Sequence, residues 1–382
     1  MKRLLPFLVI LAVLQCLFGY AALHQDSKTI ALINGTLIDG NGGTPLANAV
    51  VIIRGGKIAE VGTRAMLAVP EGSLIIDAQG GTILPGFINA HVHNGYNESL
   101  LREWAQAGVT TVRDLAAMPP YTSFSDRDRF NKNPQNARLV ATGPQMTGGF
   151  VPPMYPASIF VKTPEGGMRA TNQILDDGAD SIKVMMESRD GNAVMSLEAA
   201  RAIVDTAHAR GKRVSVHVSL CRDIEPAIRT GADELAHMVI DDLPPELATR
   251  VAKKGIIWIP TMEIWKGTSR GDHVVSNLRT FVEAGGKVAL GTDYDGAPVT
   301  FDLGMPVKEI RWMCEAGMTP MQIIVSSTRN AAEACGINVE TGTVETGKAA
   351  DLFVVEGDPL LTLDALTQVR WVIHSGKIIR RP

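Results

Sequence analysis

The sequence predicts an α/β protein, a (β/α)8 TIM-type barrel joined to a small composite β-sandwich domain built from both chain ends. Eight short apolar segments alternate with helical segments across residues 83–340, the order expected of a closed parallel barrel. Hairpin patterns at 51–62 and 369–380 have the same character and can join in one sheet. With 45% hydrophobic residues among 382, the chain can bury a core of this size.

Residues 1–21 form a separate unit that is interpreted as a secretory signal peptide. Lys2 and Arg3 give it a positive start, and an apolar run follows at 4–14. A small-x-small pattern at 19–21 provides a cleavage site. The protein is therefore expected to be exported, either to the periplasm or as a secreted protein.

Two alternatives to cleavage remain for this segment. An uncleaved anchor is one of them, because the apolar stretch of 4–22 is nearly long enough to cross a bilayer. A lipoprotein attached through Cys16 is the other, although Gln15 stands where a small residue is wanted. Contact with a membrane is expected only through this N-terminal segment, if it stays uncleaved.

The small β domain is predicted from residues 22–82 and 341–382. Both segments carry short apolar strands around turn residues, a Gly-Gly pair within 51–62 and a Ser-Gly pair within 369–380. Residues 83–340 are therefore expected to form a barrel enclosed between the two halves of one sheet.

Eight candidate strands supply the barrel, and most are followed by a helical segment. The clearest helix lies at 196–211, where Ser196 is a natural N-cap and Gly211 a natural stop. A second helix, at 244–255, begins with proline and ends with glycine. The predicted strands are 83–92, 109–115, 137–143, 181–186, 213–218, 234–238, 256–262 and 287–293.

Two long loops follow predicted strands three and eight, at 143–160 and 293–306. Both lie at the carboxyl ends of strands, the face on which barrel enzymes build their sites, so they are interpreted as substrate lids. Four side chains in strand-end loops are candidate substrate contacts, and an ordinary surface role remains open for each: Tyr96, Tyr155, Arg189 and Tyr294.

Composition excludes several classes of function. The net charge is −3, and no basic block or aromatic-interleaved stripe predicts a nucleic-acid partner. Cys221, Cys314 and Cys335 follow the signal segment without C-x-x-C spacing, so neither a disulfide framework nor a thiolate zinc site is expected. The expected partner is a small-molecule substrate, and a homo-oligomer stays open.

Six polar side chains fall at the carboxyl ends of the predicted barrel strands. Taken singly, each has an ordinary alternative, such as a core histidine, a snorkelling lysine or a capping aspartate. Their coincidence on one rim favours a common site, because such groups are costly in apolar strands unless they are satisfied. The six are His91, His93, Lys183, His217, His237 and Asp293.

The chain resembles the amidohydrolase superfamily of metal-dependent hydrolases. The resemblance rests on "PGFINAHVH", "SIKVM", His217, His237 and "GTDYD", and it covers nearly all of the chain after the signal segment. The segments "GVTTVRDL" and "GMTPMQIIVSSTRNAAEACGI" are most similar to the imidazolonepropionase-related and prolidase-like branch.

This resemblance implies a binuclear centre with a carboxylated lysine. Carbamylation by CO₂ requires a neutral amine, and burial favours that form. Imidazole and carboxylate ligands without thiolate suit Zn²⁺, with Mn²⁺, Co²⁺ or Fe²⁺ as alternatives. The implied ligands are His91, His93 and Asp293 for the first ion, His217 and His237 for the second, and carbamylated Lys183 as the bridge between them.

Such a centre is expected to hydrolyse an amide bond of a small substrate such as a dipeptide or an N-acyl amino acid, with Asp293 moving the proton. A lactonase, esterase or phosphotriesterase on the same site is an alternative. A non-catalytic envelope binding protein is an alternative of another class. A mononuclear deaminase is disfavoured, because such members place a glutamate three residues after the strand-five histidine, where this chain has Leu220 after His217.

Overall fold

The computed structural model describes residues 29–117, 123–149, 155–188, 194–265, 268–296 and 301–382. The predicted signal segment and Arg189 lie outside these residues. Within them, no helix combines the length and the apolar character needed to cross a membrane.

The strands of the described residues fall into three groups along the chain. The first group is β1 (Ile30–Leu37), β2 (Leu46–Arg54), β3 (Lys57–Thr63), β4 (Leu74–Asp77) and β5 (Thr82–Pro85). The second is β6 (Phe87–Val92), β7 (Val109–Asp114), β8 (Arg138–Ala141), β9 (Met146–Thr147), β10 (Ile159–Phe160), β11 (Ile182–Met185), β12 (Val214–His217), β13 (Glu234–Ala236), β14 (Ile257–Ile259) and β15 (Lys287–Val288). The third is β16 (Leu352–Val355), β17 (Val369–His374) and β18 (Lys377–Arg380).

Both ends of the described chain contribute to one small β domain. Its strands form a sheet in the order β18-β17-β16-β5-β1-β2-β3, with β4 paired to β1. The two ends meet where β5 pairs antiparallel with β16, with Pro85 opposite Leu352. Buried side chains from both ends share one core cluster that includes Leu32, Val51 and Val354. The predicted composite β domain is therefore confirmed.

The first predicted barrel strand, 83–92, is divided between the two domains. β5 ends at Pro85 in the small sheet, and β6 begins at Phe87 in the barrel. At Gly86 between them, an added Cβ would lie 2.0 Å from Thr110 Oγ1. Because only glycine lets the chain pass so close to β7, the switch between domains occurs here, and the prediction of one continuous strand is wrong.

Parallel strands from the middle of the chain close into a barrel. β6, β7 and β8 pair in that order, and β9, β11, β12, β13, β14 and β15 continue around it, with β10 beside β9. Backbone hydrogen bonds join the two seams: Ala90 N donates to Leu290 O, and Asp180 N donates to Ala141 O, each at 2.9 Å. The predicted (β/α)8 barrel is confirmed, and the carboxyl ends of its strands share one rim.

Helices alternate with these strands as predicted. Ser196 accepts a hydrogen bond from Ala199 N at 3.2 Å and so caps the helix expected at 196–211, while Gly211 follows the helix with φ 67°. The α-helices of the described residues are α1 (Glu98–Gln106), α2 (Phe124–Asn131), α3 (Pro164–Asp176), α4 (Leu197–Ala209), α5 (Cys221–Thr230), α6 (Pro245–Lys253), α7 (Gly271–Glu283), α8 (Val307–Glu315), α9 (Pro320–Val325) and α10 (Ala331–Ala334). Short 3₁₀ turns lie at Met262–Trp265 and Leu363–Thr367, and a π-helical turn at Ser326–Asn330 joins α9 to α10.

A buried ion pair crosses the barrel interior. Arg113 on β7 donates to Glu234 on β13 at 2.6 Å, and both side chains are fully buried. Arg113 also donates to the carbonyl oxygens of Ala334 at 2.7 Å and Ala90 at 2.9 Å. These bonds satisfy the buried guanidinium and tie α10 to the barrel. The sheet register places Glu234 in the same row as Lys183 of β11.

Candidate metal centre

Two of the predicted ligands stand at the end of β6. His91 and His93 are two residues apart, so their side chains lie on one face of the strand, and both are buried. The ring centroids are 5.2 Å apart. His93 Nδ1 lies 2.9 Å from the carbonyl oxygen of Ala116, which can only accept, so Nδ1 carries a proton. His93 Nε2 is therefore the nitrogen that faces the site.

Asp293 contacts both imidazoles. Its Oδ1 lies 2.9 Å from His91 Nε2 and 3.0 Å from His93 Nε2. Its backbone is left-handed, with φ 63°, and its N–H donates to the carbonyl of His91 at 2.8 Å. Asn89 holds the same junction, because its Nδ2 donates to Thr292 Oγ1 at 2.9 Å. Hydrogen bonds between β6 and the segment that follows β15 thus hold the Asp293 carboxylate against His91 and His93.

His237 completes a compact cluster. It follows β13 with φ 71°, and its Nδ1 lies 2.8 Å from Thr261 Oγ1. Trp258 Nε1 donates to the carbonyl of His237 at 2.7 Å. One ligand atom from each of His91, His237 and Asp293 lies within 4.8 Å of the others. Three predicted ligands from three strands are therefore close enough to share a cation.

Burial sets the protonation of this cluster. It lowers the pKa of His91 to about 3 and that of His237 well below its usual value, so both rings are neutral. Burial opposes ionisation of Asp293, but the electrostatic influence of His91 and His237, together with hydrogen bonds from His91 and His93, holds its pKa well below the usual range. The buried Nδ1 of His91 lacks a hydrogen-bond partner among the described residues. Neutral imidazole nitrogens grouped around an ionised carboxylate are the donor set that a divalent cation satisfies.

His93 differs from the other two rings. Burial lowers its pKa, but the hydrogen bond and the charge of Asp293 outweigh this and raise the pKa above the usual value. A proton on Nε2 therefore competes with a metal ion for the space between His93 and Asp293. Metal binding at this position must release that proton.

Lys183 lies inside the barrel on β11 with a buried side chain. Its Nζ has no hydrogen-bond partner among the described residues. Burial lowers its pKa from 10.5 to about 7, opposed by the charge of Asp293 and reinforced by that of Arg113. An amine with this pKa is substantially neutral near pH 7, and the neutral form is the one that reacts with CO₂. Lys183 therefore fits the carbamate that the resemblance to the amidohydrolase superfamily implies.

The remaining predicted ligand, His217, stands at the end of β12. Its ring lies beside that of His237, with centroids 4.2 Å apart. His217 Nε2 is 3.3 Å from Ser219 Oγ and 3.5 Å from Glu187 Oε2. Ser219 Oγ donates to Glu187 Oε1 at 3.0 Å. The buried carboxylate of Glu187 and the hydroxyl of Ser219 therefore lie beside the His217 ring.

Glu187 and Ser219 are absent from the residues predicted by sequence. The signal that could have found Glu187 is its spacing of four residues from Lys183, which places both side chains on one face of an extended chain. Ser219 stands two residues after His217 and follows the same rule. The sequence does not reveal either residue, because each lies just beyond the end of its strand, where side chains no longer have to alternate between two faces.

Tyr155 is the predicted substrate contact that the structure brings to the predicted metal ligands. Its phenol oxygen lies 2.9 Å from His93 Nε2, and the two ring centroids are 5.1 Å apart. Burial, followed by the charge of Asp293, raises the pKa of the phenol, so it stays a hydrogen-bond donor at neutral pH. Tyr155 lies in the long loop at 143–160, which follows the third predicted barrel strand.

The other predicted substrate contacts lie elsewhere. Tyr294 turns its ring into the core, where it packs edge-on against Trp104 with centroids 5.2 Å apart, and only its main-chain carbonyl contacts the site by accepting from His93 N. Tyr96 is half-buried and packs against the main hydrophobic core. Arg189 lies outside the described residues, so its predicted role stays a prediction.

Comparison with known proteins agrees with this architecture. The family model described as Amidohydrolase family matches residues 82–379, most of the chain. An ochratoxinase from Aspergillus niger is 27% identical over an alignment of 434 residues that covers 94% of this chain and 88% of that protein. An imidazolonepropionase from a Geobacillus species is 26% identical, over 87% of this chain and 90% of that protein.

A solved structure shows the same similarity in three dimensions. The crystal structure of an Xaa-Pro dipeptidase with methionine bound in its active site superposes with a TM-score of 0.79 at 25% identity. The superposition covers 92% of this chain and 99% of that one. It therefore includes both the barrel and the small β domain.

Proposed function

The chain belongs to the amidohydrolase family of hydrolases that act on C–N bonds, and from this premise we propose that it hydrolyses an amide bond in a small substrate such as a dipeptide or an N-acyl amino acid. The observation that carries the proposal is the convergence of neutral imidazoles, the ionised Asp293 and the buried amine of Lys183 on one barrel rim. The likeness to an Xaa-Pro dipeptidase supports a dipeptide as the substrate.

The donor set supports a centre for two divalent ions. Nitrogen and oxygen ligands without thiolate would hold both ions, and Zn²⁺ suits such a set. When bound, such ions supply a hydroxide at neutral pH and polarise the scissile carbonyl. The proposed ligands are His91, His93 and Asp293 for one ion, His217 and His237 for the other, and Lys183 as a bridging carbamate.

Two side chains of the protein have distinct tasks in the proposed reaction. Asp293 accepts the proton released by the attacking water and returns it to the leaving amine. The carboxylate is ionised at neutral pH, as a proton acceptor has to be. Tyr155, placed over His93 with its proton retained, donates a hydrogen bond to the substrate oxygen as negative charge develops there.

A substrate screen tests this function. Purified protein loaded with Zn²⁺ is assayed with dipeptides, N-acyl amino acids, lactones and phosphotriesters, and release of a free amine is the expected product signal. The matched control is Asp293→Asn, which preserves the size of the side chain and is expected to fold but not to turn over. Hydrolysis of lactones or phosphotriesters alone, no turnover of any amide, or near-normal activity of Asp293→Asn would each reject the assignment.

We also propose that the protein is exported, on the basis of the charged start and apolar run within residues 1–21. Cell fractionation combined with N-terminal sequencing tests this. The expected result is protein outside the cytoplasm that begins at residue 22. Full-length protein in the cytoplasm would contradict it.

A further inference from the structure

We propose that Thr261 is a positioning residue for His237: its hydroxyl holds Nδ1 of the ring, so that Nε2 is the nitrogen presented to a cation. The inference rests on the proposed function, because it requires a cation at His237. It adds to that function a residue just after β14, the seventh barrel strand, that the strand-end pattern does not contain.

The first support is the contact between the two side chains. Thr261 is fully buried, and its Oγ1 lies 2.8 Å from His237 Nδ1. His237 is also one of the three residues, with His91 and Asp293, that are close enough to share a cation. An imidazole that binds a metal ion is neutral and has one N–H, which is on the nitrogen that the ion does not occupy. The Thr261 oxygen is therefore placed to accept a hydrogen bond from Nδ1 when Nε2 binds the ion.

The second support is the backbone of Thr261. Its φ is 46°, in the left-handed region, which a β-branched residue rarely adopts because the conformation is costly. Residues in such conformations persist where the surrounding structure holds them, and they cluster at functional sites. His237 has a left-handed backbone as well, with φ 71°. The hydrogen bond therefore joins two strained residues just beyond the ends of the neighbouring strands β13 and β14.

The third support is Glu309, at the start of α8, which holds the turn that carries Thr261. Its two carboxyl oxygens accept hydrogen bonds from Met262 N and Glu263 N, the N–H groups that follow Thr261, each at 3.0 Å. In return, Glu309 N donates to Glu263 Oε1 at 2.8 Å. These reciprocal bonds tie the turn to α8 and keep the strained backbone in place. The hydroxyl therefore has a fixed position from which it can hold the imidazole.

Zinc binding by matched variants of the full chain tests the proposal. Thr261→Val keeps the shape and the β-branch of the side chain but lacks the hydroxyl, whereas Thr261→Ser keeps the hydroxyl. Each protein is titrated with Zn²⁺ against a competing chelator. We expect Thr261→Val to bind the ion at His237 about 10- to 100-fold more weakly than wild type, and Thr261→Ser to bind it within about 3-fold of wild type. Thr249→Val is the control, because it removes a hydroxyl on α6 that donates to Pro245 O at 2.8 Å, and its Zn²⁺ affinity should equal that of wild type.

A second measurement reports on the hydrogen bond itself. It follows the NMR signal of the His237 Nδ1 proton in Zn²⁺-loaded protein with ¹⁵N-labelled histidine. The signal should be sharp in wild type and in Thr261→Ser, because the hydrogen bond slows exchange of this proton with water. In Thr261→Val it should shift and broaden. A role of Thr261 in the fold alone would change stability without moving this signal.

The outcomes separate this inference from the proposed function. Wild-type affinity or an unchanged Nδ1 signal in Thr261→Val would overturn the positioning role and leave the proposed centre intact. An equal loss of affinity in Thr261→Ser would also overturn it, since that variant keeps the hydroxyl. Absence of bound Zn²⁺ from wild type would reject the proposed centre itself, and this inference with it. If Thr261→Val fails to fold, Thr261→Gly takes its place, because glycine adopts a left-handed backbone without strain. Its affinity should fall as expected for the valine variant, and wild-type affinity would decide against the role of the hydroxyl.

Discussion

The buried amine of Lys183 predicts a pH-dependent stability that replacement of this residue should remove. Its pKa is lowered from 10.5 to about 7 in the folded protein, chiefly by burial. Between these two values the unfolded chain binds more protons than the folded one, so the free energy of unfolding rises with pH across this window. The shift corresponds to a change on the order of 5 kcal/mol between neutral pH and about pH 10.

Urea unfolding of the metal-free protein measures this change. Wild type and Lys183→Met are unfolded in the presence of a chelator at intervals from about pH 6 to about pH 10. We expect the free energy of unfolding of wild type to rise with pH, and that of Lys183→Met to lack this rise. At pH 7 the methionine variant should be the more stable protein, because it buries an apolar side chain of similar length. Lys287→Met serves as the control, since Lys287 is partly exposed and paired with Glu333.

Parallel pH curves for wild type and Lys183→Met would refute this reasoning. They would mean that Lys183 keeps an ordinary pKa, at which only about 1 in 3,000 molecules has a neutral amine at pH 7. With a pKa of about 7, about half of the molecules have one. The same experiment therefore tests whether the lysine is prepared for carbamylation.

Three further predictions concern residues around the centre. Glu234→Ala should lower the free energy of unfolding by about 3–5 kcal/mol in urea unfolding, because it leaves the Arg113 guanidinium buried without its carboxylate. As pH rises from 4.5 to about 7, the free energy of unfolding of wild type should fall relative to that of Glu263→Gln. Burial, then the charge of Asp302, raises the pKa of Glu263 to about 7, so the folded protein binds more protons than the unfolded chain in this window. Tyr155→Phe should lower kcat about 100-fold while the Zn²⁺ content stays unchanged, because it removes only the donated hydrogen bond.

Each of these has a matched control or a contrary outcome. Asp364→Ala breaks the exposed ion pair with Arg311 and should change stability by less than about 0.5 kcal/mol. A constant difference between Glu263→Gln and wild type at every pH would show that the carboxyl does not titrate in this window. Loss of Zn²⁺ from Tyr155→Phe would indicate a structural effect on His93 in place of a hydrogen bond to substrate.

The barrel and the grouping of the predicted ligands on one rim could be predicted because both depend on simple periodicities. Alternating strands and helices place strand carboxyl ends on one rim, so the order of His91, Lys183, His217, His237 and Asp293 along the chain is enough to gather them. No contact between distant residues has to be known for this step. The structure adds the orientation of each ring and the hydrogen-bond partners of His93.

Other features depend on local geometry that the sequence does not reveal. Tyr294 follows Asp293, whose left-handed backbone breaks the alternation of side chains, so the tyrosine ring goes to the core. Gly86 separates two strands because Thr110 of β7 lies against it, a contact between residues that are distant along the chain. Glu187 lies two residues beyond the end of β11 at Met185, so the strand pattern alone does not place it.

The ion pair between Arg113 and Glu234 connects the stability of the barrel with the chemistry of the centre. Lys183 and Glu234 lie in one row of the sheet, and Arg113 joins them in the barrel interior. Arg113 lowers the pKa of Lys183 and Glu234 raises it, so the two charges oppose each other and burial remains the main cause of the shift. Because the guanidinium is neutralised within the pair, the pair itself adds no net charge beside the lysine, and Asp293 remains the main charge that opposes the effect of burial. Lys183 is therefore free to be neutral, which is the state that a bridging carbamate requires.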